Sequence, residues 1–298
     1  MKVLNCTPNK NRPCTVTLGT FDGLHIGHIQ LVKTAVDYAK KHKIDTCVFT
    51  FSANPSNSKY ITSNQQREKI FASFGVDVVV LQEFSDDFKN LSPEEFFSDY
   101  IVKRLNAKMI TVGFNYRFGS KGAGDIGLLS EFCGNNNIEL IVVPPVLFEN
   151  NVISSTRIRD CVEKADMQSA SAMLGRDFSI MGTVQSGDRL GRDFGFPTAN
   201  IAVDLNHVMP PQGVYLTITE YNGKLYNSIT NYGGKPTIRQ GVNVIETHIL
   251  DFDNDIYEKT IEVKFIKKLR DIIAFTSTKE LINQLNADKQ QAWEVFNI

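Results

Sequence analysis

Between Cys14 and Leu174 short, nearly continuous apolar runs alternate with longer stretches of helical period. Residues 15–18, 46–51, 76–81, 108–112 and 138–143 are rich in β-branched side chains and carry few charges, the pattern of strands covered on both faces. Between the first two runs Leu31, Val32, Ala35, Val36 and Ala39 recur at i, i+1, i+4, i+5 and i+8, one face of a helix. Ser92-Pro93-Glu94-Glu95 opens another helix with a capping residue and a proline in the first turn. Strand and helix in alternation predict a doubly wound parallel sheet, whose ligands bind at the C-terminal ends of the strands.

After Gly182 the period changes to two. Val214, Leu216 and Ile218 alternate with Tyr215, Thr217 and Thr219, and Ile261, Val263 and Phe265 with Glu262 and Lys264, as in half-buried antiparallel strands. Turn signals stand at Tyr221-Asn222-Gly223-Lys224 and Asp253-Asn254-Asp255, and an amphipathic helix over about 279–295 ends the pattern. The second half therefore reads as a small β-barrel capped by a helix. We expect domains at 1–176 and 177–298, joined near 175–182. A length of 298 residues accommodates two cores of this size.

Charge and composition narrow the partners. Lys+Arg total 32 against Asp+Glu 33, and no run of like charge resembles a nucleic-acid arm. No apolar stretch reaches the roughly 18 residues of a membrane span, and Asn and Pro interrupt the start before an apolar leader can form. The five cysteines are scattered without a metal or redox spacing, which suits a reducing cytoplasm. The expectation is a cytoplasmic protein with small-molecule partners, no nucleic acid, no membrane and a possible oligomer.

The densest chemistry is Gly19-Thr20-Phe21-Asp22-Gly23-Leu24-His25-Ile26-Gly27-His28, between the first long strand and the first helix. Glycines allow close backbone approach, a helix N-terminus favours anions, and two imidazoles supply donors: a phosphate site. Such donors stabilise charge that develops when an α-phosphorus is attacked. Ser154-Ser155-Thr156-Arg157 offers a second capped helix start with a hydroxyl and a guanidinium suited to a triphosphate.

These motifs resemble the nucleotidyltransferase superfamily with its H-x-G-H signature, and more closely the bacterial bifunctional riboflavin kinase/FMN adenylyltransferase (FAD synthetase) family. Gly113-Phe114-Asn115-Tyr116-Arg117-Phe118-Gly119 resembles the family's G-x-D/N-F-x-F-G stretch, and residues 153–159 its S-S-T-x-I-R motif. Gly182, Gly187, Gly191 and Phe196-Pro197-Thr198-Ala199-Asn200 resemble the kinase signature G-x-V…G-R-x-x-G-x-P-T-A-N. The resemblance implies a Rossmann-like nucleotidyltransferase domain followed by a small antiparallel β-barrel riboflavin kinase domain with a C-terminal helix. It implies ATP and magnesium, riboflavin as substrate, and FMN and FAD as products.

By resemblance, Gly19, Phe21, Asp22, Gly23, His25, His28, Asn115, Ser154, Ser155, Thr156 and Arg157 bind ATP for adenylyl transfer, His25 and His28 catalytically. Gly182, Gly187, Gly191, Pro197, Thr198 and Asn200 bind ATP for the kinase, with Thr198 and Asn200 as magnesium ligands, hard oxygens two residues apart in an extended segment. Glu246 is assigned as the base for the riboflavin 5′-hydroxyl, and it shares a strand face with Val244 and His248. A surface glutamate would show the same pattern, so its role rests on the resemblance. Arg270 and Asn54 are assigned to the flavin.

Two positions depart from the family: Asn54 stands where it has His in T-F-x-P-H-P, and Lys235 where it has Arg in N-x-G-x-R-P-T. The first replaces a titratable imidazole by a neutral amide, and the second loses a bidentate fork. A kinase with a weak adenylyltransferase module, or a non-catalytic flavin-binding regulator, are the alternatives. Gly122-Ala123-Gly124-Asp125-Ile126-Gly127 begins too far after its strand for a dinucleotide fingerprint. Asp251-Phe252-Asp253-Asn254-Asp255 lacks the glycine of a calcium loop, with Ile256 in its place.

Overall fold

All five apolar runs of the first half are strands of one parallel sheet in the computed structural model, which describes residues 1–4, 12–55, 58–186, 195–233 and 242–296. They are β2 (Cys14–Leu18), β3 (Asp45–Phe51), β4 (Val78–Gln82), β5 (Ala107–Gly113) and β6 (Glu139–Val143). A sixth strand, β1 (Lys2–Leu4), pairs in parallel with β4. It has no signature in the sequence because it is three residues long and mostly exposed, so apolar periodicity has nothing to act on.

The order β1-β4-β3-β2-β5-β6 puts β2 between β3 and β5. From β2 the chain winds through β3 and β4 on one side and resumes with β5 and β6 on the other. A crevice therefore opens at the C-terminal ends of β2, β3 and β5, as the switch of direction requires. The helices that cover this sheet include α1 (Ile26–His42) and α2 (Asn64–Ser73). Leu31, Val32, Ala35, Val36 and Ala39 are the buried face of α1, and Lys43 in the left-handed conformation stops it. Ser92 caps Pro93–Glu95 with a reciprocal capping box, and the segment continues as a π-helix over Phe96–Arg104. A helix α3 (Ile126–Asn135), capped by Asp125, and a short hairpin of β7 (Leu147–Phe148) and β8 (Asn151–Val152) follow.

The chain divides into two units, Met1–Ser155 and Thr156–Ile298. The second begins in α4 (Ser155–Glu163) and α5 (Met167–Leu174). Six strands then close an antiparallel barrel: β9 (Phe178–Gln185), β10 (Ala199–Asp204), β11 (Gly213–Tyr221), β12 (Lys224–Tyr232), β13 (Val242–Ile249) and β14 (Thr260–Arg270), with α6 (Thr278–Phe296) last. Gly182 stands inside β9, where an added Cβ would lie 2.3 Å from Ile201 Cγ2. Asn222 and Gly223, both with positive φ, form the two-residue turn between β11 and β12.

The barrel interior differs from the simple alternation of apolar inside and polar outside. Tyr215, Thr217 and Thr219 are fully or nearly fully buried, as are Ser228, Thr230 and Thr247. Thr219, Ser228, Thr217, Thr230 and Thr247 join in an unbroken hydroxyl chain with separations of 2.8–2.9 Å. Hydroxyls that satisfy one another are tolerated without water. Val214 and Leu216 instead pack with Ile229, Leu250 and Ala292 of α6. Both faces of β11 are thus covered.

Candidate active sites

In the first unit, the turn from β2 to α1 is shaped by its own side chains. Phe21 and Leu24 are buried at positive φ and anchor the turn in the core formed with Val32, Val48 and Phe71. His25 is the N-cap of α1, its Nδ1 accepting the backbone N–H of His28 at 3.3 Å. The two imidazoles stack with centroids 3.6 Å apart and planes at 15°. Gly27 permits this: an added Cβ would lie 3.2 Å from two atoms of the His25 ring. The spacing of the motif is therefore a packing requirement as well as a chemical one.

A cavity of about 780 Å³ opens here. Gly19, Phe21, His25, His28, Asn115, Ser154 and Ser155 line it, together with Leu18, Phe51 and Gly113 from the ends of β2, β3 and β5. Asp22 and Gly23 do not. The Asp22 carboxylate accepts the Ile61 N–H at 2.8 Å, and its backbone carbonyl accepts the Ser155 hydroxyl at 2.9 Å. These bonds hold the H-x-G-H turn to the serine motif some 130 residues later in the chain. Gly23, at φ +77°, packs against Ile61. Thr156 and Arg157 fall in the second unit and are not among the residues that line this cavity.

Asn54 does not line the cavity; its side-chain amide donates to the Ser58 carbonyl at 3.2 Å, whereas the neighbouring Pro55 does line it. Residues absent from the sequence-based set complete the wall. Phe49, Phe84, Phe88, Phe96 and Phe118 make it aromatic, and Lys89, Arg117 and Lys121 bring cations to it. Desolvation raises the Tyr116 phenol above its ordinary value, leaving it a neutral hydroxyl at this wall. Arg117 and Phe118 belong to the Gly113–Gly119 motif; Lys89, Phe49, Phe84, Phe88 and Phe96 carry no local signal, because their convergence depends on chain crossings.

The second unit shows a different arrangement. On β13, Ile245 and Thr247 are fully buried while Glu246 is exposed and His248 half-buried. Glu246 pairs in register with Asn200 of β10 on one side and Asn231 of β12 on the other. Ala199, Ile201 and Thr230 point inward, so Asn200, Glu246 and Asn231 form a row across three strands on the outer face. Asn231 was visible in the sequence only as the start of the motif that contains Lys235. His248 Nδ1–H donates to the Pro197 carbonyl at 2.8 Å, and its ring meets Phe196 edge to face. That bond ties β13 to the residue before Thr198. Gly187, Gly191 and Lys235 lie outside the described residues.

Thr198 and Asn200 are both half-buried, flanking the buried Ala199. Among the described residues no three His, Cys, Asp or Glu side chains converge on one point. The neutral, hard oxygens of Thr198 and Asn200 fit a magnesium ion that takes most of its ligands from phosphates and water. Arg270 is fixed by the terminal helix: its Nε and terminal nitrogen clamp the Asp288 carboxylate of α6 at 2.9 and 2.6 Å. Asp288, only 2% exposed, also accepts from Gln284.

Comparison with known proteins agrees with this two-part arrangement. A family model described as FAD synthetase matches residues 7–157, and one described as riboflavin kinase matches residues 174–296. A bifunctional riboflavin kinase/FMN adenylyltransferase of Buchnera aphidicola subsp. Schizaphis graminum is 34% identical, the match covering 97% of this chain and 96% of the relative. The enzyme of that description from Bacillus subtilis is 31% identical over 95% of this chain and 92% of its own. A crystal structure of a protein described as a macrolide-efflux protein from Streptococcus pneumoniae superposes with a TM-score of 0.85 at 33% identity, over 97% of each chain. Among the described residues of this chain, no helix is long and apolar enough to cross a membrane. With both halves matched in order, and relatives aligned over nearly the whole length, the chain belongs to the bifunctional riboflavin kinase/FMN adenylyltransferase family.

Proposed function

We propose that this chain makes FMN from riboflavin and ATP in its second unit, and FAD plus pyrophosphate from FMN and ATP in its first. The observation that carries the reading is that two motif sets have their central residues in separate units: stacked His25 and His28 at the switch-point cavity, and Glu246 beside Asn200 on the barrel. In the kinase step Glu246 takes the proton of the riboflavin 5′-hydroxyl as its oxygen attacks the γ-phosphorus, and ADP leaves. Thr198 and Asn200 would hold magnesium, which when bound would neutralise charge on the phosphates. Pro197, Gly182 and the glycines at 187 and 191 shape the ATP side of that site, and Arg270 supports the flavin side by fixing the end of β14 to α6.

In the adenylyl step a phosphate oxygen of FMN attacks the α-phosphorus of ATP and pyrophosphate leaves. His25, His28 and the N-terminus of α1 stabilise the charge on the oxygens of that phosphorus. Asn115, Ser154 and Ser155 hold the nucleotide, Thr156 and Arg157 being assigned to it by the motif they share with the two serines, and the aromatic wall takes the apolar flavin ring. Functionally the first module runs to residue 176 and the second begins at 177. Reactions of this kind need only small soluble partners, with no nucleic acid or membrane, and suit the cytoplasm; a homo-oligomer is compatible with them.

A kinase-only reading is favoured by one observation, that Asn54 turns its amide to Ser58 while the cavity wall passes through Pro55. Incubation with riboflavin, ATP and magnesium, followed by chromatography of the flavins, separates the readings. Both FMN and FAD are expected. FMN alone would leave the kinase, and neither product would overturn the enzyme assignment.

A further inference from the structure

Arg67 lies beneath the first-unit site, on α2, and is 6% exposed. One terminal nitrogen donates to the Thr20 carbonyl at 3.1 Å and the Thr50 hydroxyl at 3.2 Å. The other donates to the Phe51 carbonyl at 2.7 Å and to the Asn64 side-chain oxygen. Nε is buried without a hydrogen-bond partner. Thr20 and Phe51 are wall residues of the cavity, one beyond the end of β2 and one closing β3.

Two features separate this guanidinium from an ordinary structural arginine. Each of its acceptors is a neutral oxygen, so its terminal nitrogens are satisfied while its charge is not cancelled, and none of the described carboxylates forms an ion pair with it. Asp22 and Glu68 act on it only through space, the Asp22 carboxylate being bonded to the Ile61 N–H. Burial of an uncompensated cation is costly and persists where the surroundings supply negative charge. One of the two carbonyls that accept from Arg67 belongs to Thr20, between Gly19 and Phe21 in the proposed phosphate-binding turn.

We propose that Arg67 is a positioning residue for adenylyl transfer, fixing the ends of β2 and β3 and placing a buried positive charge behind the turn that receives the polyphosphate. This rests on the reading of the first unit as an adenylyltransferase. Its field acts through the backbone of Thr20 without touching the nucleotide, and it acts in proportion to the negative charge of the ligand. A merely structural arginine would affect charged and less charged ligands alike.

The test uses the full chain with Arg67→Lys, which keeps the charge, and Arg67→Gln, which keeps donors for the two carbonyls but is neutral. Calorimetric titration with pyrophosphate, ATP and AMP in magnesium buffer reads binding, and FMN-to-FAD turnover reads kcat and KM for ATP. Arg67→Gln should weaken pyrophosphate and ATP about tenfold or more, with AMP changed less than about threefold; Arg67→Lys should stay within about threefold for all three while lowering kcat. Equal losses for AMP and pyrophosphate, an Arg67→Lys as defective as Arg67→Gln, or no change in either would each overturn the proposal. If Arg67→Gln does not fold, the pyrophosphate affinity and kcat of Arg67→Lys decide it. Wild-type protein that forms no FAD, with pyrophosphate affinity still weakened by Arg67→Gln, would refute the adenylyltransferase reading and leave only the buried charge behind a polyphosphate-binding turn.

Discussion

His248 does at the kinase site what His25 does at the other, using one ring nitrogen to fix a backbone segment. Desolvation, the largest effect, holds its pKa below the ordinary 6.5; Lys289 pushes in the same direction, and the Pro197 bond and Asp251 oppose them. A histidine lowered in the folded state binds fewer protons there than when unfolded, so stability rises with pH across that window. Its contribution is complete above about 6.5 and is lost as pH falls from there through the lowered folded value. We expect the melting temperature to fall less between pH 7.5 and 5.5 in His248→Asn than in the wild type, measured by thermal unfolding at each pH. At the adenylyl site, His28→Ala should slow FAD formation from FMN about 10²–10³-fold, the loss typical of one transition-state donor, with riboflavin phosphorylation intact. An unchanged FMN-to-FAD rate in that variant would remove His28 from the chemistry.

At the scale of the element, close approach and end anchoring matter more than propensity. In β9, Gly182 lets Ile201 of β10 lie where a side chain would stand. Gly182→Ala should therefore cost about 1–3 kcal/mol through overpacking. A double-mutant cycle with Ile201→Ala should show strong coupling, since removing the Ile201 methyls makes room for the new Cβ; additive urea-unfolding energies would mean that the barrel adjusts elsewhere. For α6 the anchor is the Arg270 clamp on Asp288, whose side chains are 18% and 3% exposed. Removing one partner of a buried pair strands the other, so Asp288→Ala should lower stability by about 3–5 kcal/mol in denaturant unfolding. Retention of wild-type stability would show that the apolar contacts of Ala292 and Trp293 hold the helix unaided.

For the whole molecule, two units with separate motif sets imply separable activities. Glu246→Gln should lose riboflavin phosphorylation about 10²–10⁴-fold, and Asn200→Ala should raise the magnesium requirement of that step, while both form FAD from supplied FMN at near wild-type rates. Assays of the two half-reactions on folded variants check this, and joint loss would contradict independent sites.

Amino-acid order alone sufficed for the parallel sheet, the barrel, α1, the terminal helix and the motif turns, because those depend on periods of 3.6 and 2 and on local glycine and capping chemistry. It also placed His25 with His28 and Glu246 with His248, which are neighbours by spacing within one element. Convergence across the chain was decided only in three dimensions. Asp22 meets Ile61 and Ser155, Arg67 reaches Thr20 and Phe51, Asn231 stands beside Glu246, and five separated hydroxyls line up inside the barrel. Asn54 and Arg270 show the same limit from the other direction: a motif position names a residue, whereas its partner is set by which oxygen or carboxylate packing brings within reach. Contacts between distant segments depend on strand order, which no local pattern of apolar and polar residues encodes, even where that pattern and the turns set the register of neighbouring strands.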